Sequence, residues 1–178
     1  MLEGSDHVLF VLCLVIGAAR LGSLVWRVTG FTAGHTLTLI AGFLGWVPGG
    51  PWFVPAVETG IALSIIYAAI IALLDRESRS TFVVTPAIGL LHGLGFSFVL
   101  HEILRVDSPN LWQSLMSFNV GVEVGQLAIV LIVWPAFWLL RRHSELLVNK
   151  ARWVVALPCI VFASLWSAER AVQLASAL

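Results

Sequence analysis

Charged side chains are scarce in this chain of 178 residues. Lys and Arg contribute 10, Asp and Glu another 10, and charged residues make up 11% of the sequence. A typical soluble domain has about 25%, and here hydrophobic residues reach 59%. The composition therefore excludes an ordinary soluble domain and predicts an integral membrane protein. The formal net charge of zero gives no bulk attraction to nucleic acid, so no nucleic-acid partner is expected.

Cysteines and several catalytic motifs are also lacking. The two cysteines, Cys13 and Cys159, lie in apolar runs and are too few for a disulfide scaffold, so small buried hydrophobes are expected. The first apolar run follows Glu3 and Asp6 instead of a basic segment, which predicts no cleavable signal peptide. The chain has no G-x-S-x-G, H-E-x-x-H or phosphate-binding loop. No catalytic residue and no organic cofactor site is therefore predicted.

Long apolar runs dominate what is present. A membrane-spanning helix needs about 20 apolar residues, and six candidates occur at about 4–19, 29–47, 52–74, 82–100, 115–140 and 153–174. The first is short for a full span. A Pro-Gly-Gly-Pro turn signal at 48–51 separates the second from the third, and polar segments at 75–79 and 101–110 flank the fourth. The sequence predicts an all-α integral membrane bundle of about six transmembrane helices in one domain, 1–178.

The basic residues are distributed asymmetrically about these spans. Eight of the ten basic residues fall on one side of the membrane, and only Arg105 and Arg170 fall on the other. The positive-inside rule makes the side with eight basic residues cytoplasmic. Both termini are then predicted to face outward. Five tryptophans near span ends are typical of the headgroup layer, with core packing as the other interpretation. They are Trp26, Trp46, Trp52, Trp112 and Trp153.

Ionisable residues recur inside the predicted spans in a fixed order. His35 precedes Glu58, and His92 precedes Glu123, with both glutamates in Val-Glu-x-Gly. The offset is 57 residues between the histidines and 65 between the glutamates. By the predicted topology both pairs share one orientation, which predicts a parallel internal repeat about the membrane normal. Charged groups at the bilayer centre cost about 2.5–3.5 kcal/mol on insertion scales, so such residues usually face the bundle interior and serve function.

Imidazole and carboxylate together suit zinc, nickel, cobalt or iron. We predict a metal site from the four intramembrane residues together with the pair that opens the first span. Its residues are Asp6, His7, His35, Glu58, His92 and Glu123. The simpler alternatives are interhelical hydrogen bonds for the histidines and a helix N-cap at Ser5 or Asp6. Glycines beside the histidines would let helix backbones approach closely.

The two glutamates are the hardest residues to explain without a ligand. We expect no lysine or arginine within the spans to pair with Glu58 or Glu123, which leaves histidine or a metal ion as the expected partner. Asn119 and Gln126 share a helix face with Glu123 by their spacing. They are predicted to support the site.

Five motifs resemble one family. GSDHVLF at 4–10, FTAGHTLTL at 31–39, VE with IALSI at 57–65, LHGLGF at 91–96 and FNVGVEVGQ at 118–126 are similar to the HupE/UreJ family. These are small membrane proteins associated with hydrogenase and urease accessory genes. The resemblance implies a multi-pass bacterial inner-membrane protein that acts as a nickel or cobalt permease. It also implies that the family's histidine and acidic positions are the six residues of the predicted site.

The first hypothesis is a divalent-metal permease. The ion would be captured near Asp6 and His7, pass to a midplane site of His35, Glu58, His92 and Glu123, and leave when protons compete for its ligands. Its partners would be the metal ion and the lipid bilayer, and the sequence is compatible with a homo-oligomer. One alternative is a zinc-dependent hydrolase acting on a lipid, with three histidine ligands and a glutamate base. The other is a metal-binding accessory protein.

Overall fold

The computed structural model describes residues 4–74, 79–103 and 110–178. Over this part of the chain it consists of six α-helices, which confirms the all-helical prediction. They are α1 Ser5–Gly17, α2 Leu21–Phe43, α3 Phe53–Leu73, α4 Arg79–Ile103, α5 Leu111–His143 and α6 Glu145–Ala177. Most of the two predicted polar segments, at 75–78 and 104–109, lies outside the described residues.

Helix ends follow local chemistry more than the limits of the apolar runs. The chain between α2 and α3 contains Gly45 at φ 75°, a left-handed conformation that glycine adopts without steric cost. Ser144 separates α5 from α6 and caps α6, because its hydroxyl accepts from the Leu147 N–H at 3.4 Å. Both α2 and α6 begin eight residues before their apolar runs. Both extensions contain leucine and arginine, which are good helix formers, so each helix continues beyond its apolar run.

Three helical segments are long and apolar enough to cross a membrane. Among the described residues these are Phe53–Leu73, Trp112–His143 and Glu145–Ala177. Ser5–Gly17 and Phe82–Phe98 are shorter apolar helices. All five tryptophans near span ends lie at the surface, from 40% exposed for Trp52 to 77% for Trp46, so core packing does not explain them. The six crossings and the internal repeat stay predictions.

Glycines bring α2 and α4 into backbone contact. A Cβ added at Gly89 would lie 2.9 Å from both the Cα and the carbonyl carbon of Phe31, and one at Gly93 would lie 2.8 Å from the carbonyl carbon of His35. The Thr38 hydroxyl donates to a backbone carbonyl of α4 at 2.6 Å. The expected close approach around the histidines is confirmed, and it places the two histidine-bearing helices side by side.

Helix α1 is enclosed by the rest of the bundle. Phe10, Val15 and Ile16 are fully buried. At its C-terminal end the Ile16 carbonyl accepts from Arg141 Nη2 at 3.4 Å and from Arg152 Nε at 3.3 Å. Residues from α5 and α6 therefore satisfy a backbone group that a helix terminus leaves open. Both cysteines are free and buried, as predicted.

Candidate functional site

Three of the six predicted site residues meet in the bundle interior. His7 of α1 lies between His35 of α2 and His92 of α4, with ring centroids 5.0 Å and 4.8 Å apart. Both pairs are edge-to-face, at interplanar angles of 89° and 85°. Their exposed fractions are 7%, 1% and 0%. Three separate helices thus deliver three imidazoles to one buried place.

Phenylalanine rings line this histidine cluster. The Phe96 and Phe31 ring centroids lie 4.6 Å and 5.6 Å from that of His7, and the Phe10 ring lies 5.2 Å from that of His92. Edge-to-face contacts of this kind are favourable beyond the apolar area they bury. The rings fix the imidazoles in a largely apolar shell.

A serine determines the protonation of one imidazole. Ser64 Oγ lies 2.7 Å from the Ile61 carbonyl and 3.0 Å from His92 Nε2, and both side chains are buried. A hydroxyl has a single proton, which Ser64 donates to the Ile61 carbonyl. His92 Nε2–H must then donate to Ser64 Oγ. A neutral His92 in this tautomer carries its lone pair on Nδ1, the nitrogen available to a ligand.

Four other ring nitrogens of the cluster make no hydrogen bond to the described residues. His7 Nδ1 and Nε2, His35 Nε2 and His92 Nδ1 are buried without a partner in the described part of the chain. Buried polar atoms are almost always hydrogen-bonded, and imidazole nitrogens are common ligands of divalent metals. In this arrangement, however, no group of three or more His, Cys, Asp or Glu side chains among the described residues has metal-holding geometry. Simultaneous ligation would therefore require the rings to reorient.

The supporting residues of α5 contact the histidine-bearing helix α2. Thr32 Oγ1 donates to Gln126 Oε1 at 3.2 Å, and Thr36 Oγ1 donates to Asn119 Oδ1 at 3.1 Å. Gln126 is buried, whereas Asn119 is half-buried. These bonds use the side-chain oxygens of both amides and fix α5 against α2.

Glu123 does not reach the histidine cluster. It is exposed on α5, while Gln126 is buried. Successive helical residues are about 100° apart, so Glu123 lies about 40° from Asn119 and about 60° from Gln126 around the helix. Glu123 therefore occupies the outer edge of the face that it shares with Asn119 and Gln126. Spacing along the helix does not show whether a residue lies at the edge or at the centre of such a face.

Glu58 has an arginine partner. Arg170 Nε lies 3.1 Å from Glu58 Oε2, with the two side chains 15% and 25% exposed. Arg170 Nη1 also donates to Gln173 Oε1 at 2.8 Å. The expectation that no basic residue within the spans could pair with Glu58 was wrong. Arg170 lies inside α6, which continues to Ala177, and its long side chain reaches α3.

Asp6 lies in the first turn of α1, within electrostatic range of Glu58. The Ser5 hydroxyl donates to Asp6 Oδ1 at 3.2 Å, and the Asp6 carboxyl is close enough to Glu58 to interact electrostatically. The alternative role of Ser5 or Asp6 as the helix N-cap is not observed, because Gly4 at φ 99° holds that position. The predicted site thus divides into a histidine cluster and a charged group of Asp6, Glu58 and Arg170, with His7 next to Asp6 in sequence.

The chain matches a known protein family over most of its length. The family described as HupE / UreJ protein matches residues 1–170. The chain belongs to the HupE/UreJ family. No curated protein and no solved structure matches the chain. HupE/UreJ membership suggests a metal-related accessory or permease role.

Within this HupE/UreJ chain, two residues of the site were not foreseen in their present roles. The contact of Ser64 with His92 across helices was not predicted. Arg170 had been assigned to the outer side of the membrane. Its position inside the sixth apolar run was a signal that could have identified it, whereas nothing in the spacing of Ser64 predicts a partner on α4.

Proposed function

We propose that this protein is a divalent-metal permease whose transport path runs through the histidine cluster. The observation that carries the proposal is the meeting of three buried imidazoles from three helices, four of whose ring nitrogens make no hydrogen bond to the described residues. Nickel or cobalt as the cargo rests on the family resemblance.

The charged group would serve as the outer capture site. Asp6 and Glu58 offer carboxylate oxygens to an arriving cation, while Arg170 neutralises Glu58 when no ion is present. A divalent ion would compete with the Arg170 guanidinium for the same oxygens. The position of His7 directly after Asp6 gives the ion a next ligand further along α1.

The histidine cluster would hold the ion in transit. Its nitrogens could close on an ion only after ring reorientation, because no metal-holding group exists among the described residues as they stand. An incompletely organised ligand set suits a transported ion, which must bind well enough to enter and weakly enough to leave. Protons compete for the same nitrogens and would promote release.

The proposed setting is the bacterial inner membrane, with several crossings and both termini on the periplasmic side. Three helical segments of crossing length support a membrane location. The proposed metal site keeps Asp6, His7, Glu58 and the other two histidines, with Asn119 and Gln126 in support. Glu123 would take part only from the outer face of α5.

Uptake by purified protein tests the proposal. Proteoliposomes should accumulate Ni²⁺ or Co²⁺, and His92→Ala should reduce uptake to the level of empty liposomes. His143→Ala is the matched control, because His143 is exposed at the end of α5. Unchanged uptake by a folded His92→Ala protein would refute the path through the cluster.

The two alternatives make different demands on the same residues. A zinc-dependent lipid hydrolase with the three histidines as ligands needs a glutamate base beside them, but Glu58 pairs with Arg170 and Glu123 is exposed. The geometry therefore favours transport over that hydrolase. An accessory protein would bind metal ions in the same cluster without moving them into liposomes, so the uptake assay separates it from a permease.

A further inference from the structure

A cleft leads from the outside of the bundle to the edge of the histidine cluster. It has a volume of about 380 Å³ and lies between α1, α4 and α5. Phe96, Val122 and Ile129 form apolar parts of its lining, and His7 and Gln126 contribute polar atoms. Its volume falls within the range of small-molecule sites, about 300–1,000 Å³.

Two glycines of α5 keep this cleft open. Gly121 and Gly125 both line it, and a Cβ added at either would meet nothing within 4 Å. The neighbouring Val8, Val124 and Leu127 are 44%, 60% and 45% exposed. The cleft therefore opens through an apolar outer surface, the kind that faces lipid.

The polar atoms within the cleft specify what they can accept. Gln126 is 97% buried, its Oε1 accepts from Thr32, and its Nε2 has no partner among the described residues. His7, 93% buried, likewise has neither ring nitrogen hydrogen-bonded. An amide nitrogen only donates, whereas neutral imidazole has one donor and one acceptor. A complementary ligand must offer an acceptor oxygen to Gln126.

The lining argues against a hydrated ion in this cleft. Six waters occupy roughly 180 Å³ at about 30 Å³ each, so a hydrated ion would fit by size. Most of the wall is apolar, however, and would leave the water hydrogen bonds unmet. An acceptor oxygen attached to a hydrocarbon chain matches both the polar end and the apolar wall.

We propose that this cleft binds a membrane lipid through an ester carbonyl. The carbonyl oxygen accepts from Gln126 Nε2 and, in the matching tautomer, from His7, while the acyl chain lies against Val122 and Ile129. Gly4 at the start of α1 also lines the cleft, which places His7 within one turn of the helix terminus. In a membrane, lipid ester groups lie at the boundary between headgroups and acyl chains, and a helix terminus lies near the same boundary. The proposal does not depend on metal transport.

Lipid retention by the purified protein tests the site. Native mass spectrometry of the detergent-solubilised chain is titrated with a diester phosphatidylglycerol and with its diether analogue, which lacks the carbonyl. Gly125→Leu should fill the cleft without a clash, since nothing lies within 4 Å of its Cβ position. Gly22→Leu is the control, an exposed helical glycine of α2 with equally open space. A thermal melt verifies that each variant folds.

The expected result is one retained diester lipid, with binding weakened about tenfold in Gly125→Leu and unchanged in Gly22→Leu. The diether lipid should bind the unaltered chain about tenfold more weakly than the diester lipid does. Gln126→Met should bind the diester lipid about tenfold more weakly than the unaltered chain does. Each tenfold change is equivalent to about 1.4 kcal/mol. Equal retention of both lipids by all variants would mean nonspecific lipid and refute the site. A chain dimer lost in Gly125→Leu would also overturn the proposal by showing that a second copy covers the cleft.

Discussion

Replacing Gly89 with alanine should separate the two helices that position the histidine cluster. The added Cβ would lie 2.9 Å from the Cα and carbonyl carbon of Phe31, and closer still to its carbonyl oxygen. These are backbone atoms, so no side-chain rotation can relieve the overlap. Restoring the 3.4 Å at which ordinary contact begins requires a separation of at least half an ångström.

Separating α2 from α4 lowers the free energy of unfolding through lost packing and a weakened hydrogen bond. Overpacking a well-packed contact typically costs about 1–3 kcal/mol, and weakening the Thr38 hydrogen bond to α4 adds about 0.6 kcal/mol on the membrane-protein scale. Alanine recovers up to about 1 kcal/mol as the better helix former. We therefore expect Gly89→Ala to lower the free energy of unfolding by about 1–3 kcal/mol.

Unfolding in mixed detergent micelles, followed by circular dichroism during a sodium dodecyl sulfate titration, measures this loss. Gly125→Ala is the matched control, because it makes the same substitution where nothing lies within 4 Å, and it should be neutral or slightly stabilising. If Gly89→Ala proved as stable as Gly125→Ala, the close approach of α2 and α4 would be refuted.

Three further predictions concern individual side chains. Ser64→Ala should weaken metal binding to the purified protein about tenfold or more in calorimetry, because His92 loses the partner that fixes its tautomer; unchanged affinity would contradict that role. Arg170→Gln should tighten Ni²⁺ binding by removing the cation that competes for Glu58, and an unaltered dissociation constant would show that Arg170 does not compete. Arg152→Met should cost about 1.5–3 kcal/mol in the detergent titration through the lost charged hydrogen bond to α1, whereas the exposed control Lys150→Met should have little effect; equal stabilities would refute the capping interaction.

The sequence predicted the helices and the histidines better than the carboxylates. Apolar runs indicated six helices because a helix buried in a bundle or a membrane needs apolar residues along most of its length. His35 and His92 could be expected to approach each other because glycines beside them permit close helix packing. Their meeting with His7 depends on how α1 sits within the bundle, which no spacing along the chain encodes.

The surroundings of the two glutamates could not be predicted from the sequence. Glu123 shares a helical spacing with Gln126, yet the rotation of α5 leaves one exposed and the other buried. Glu58 was judged partnerless because Arg170 was assigned to the outer side, although it lies inside the sixth predicted span, 153–174. An arginine side chain extends far enough to pair across helices, so its place in a span does not determine where its charge lies.

The shortness of α1 affects the electric field along the proposed path. Its 13 residues extend about 20 Å, against about 30 Å for the hydrocarbon core of a bilayer. At its inner end Arg141 and Arg152 border a polar pocket of about 260 Å³ that also includes Glu145 and Asn149. In the proposed orientation, water in this pocket would carry cytoplasmic potential inward, so the voltage would fall over a shorter distance. A divalent ion crossing the whole potential gains about 4.6 kcal/mol per 100 mV, and the three imidazoles would lie within the shortened distance over which that work is done.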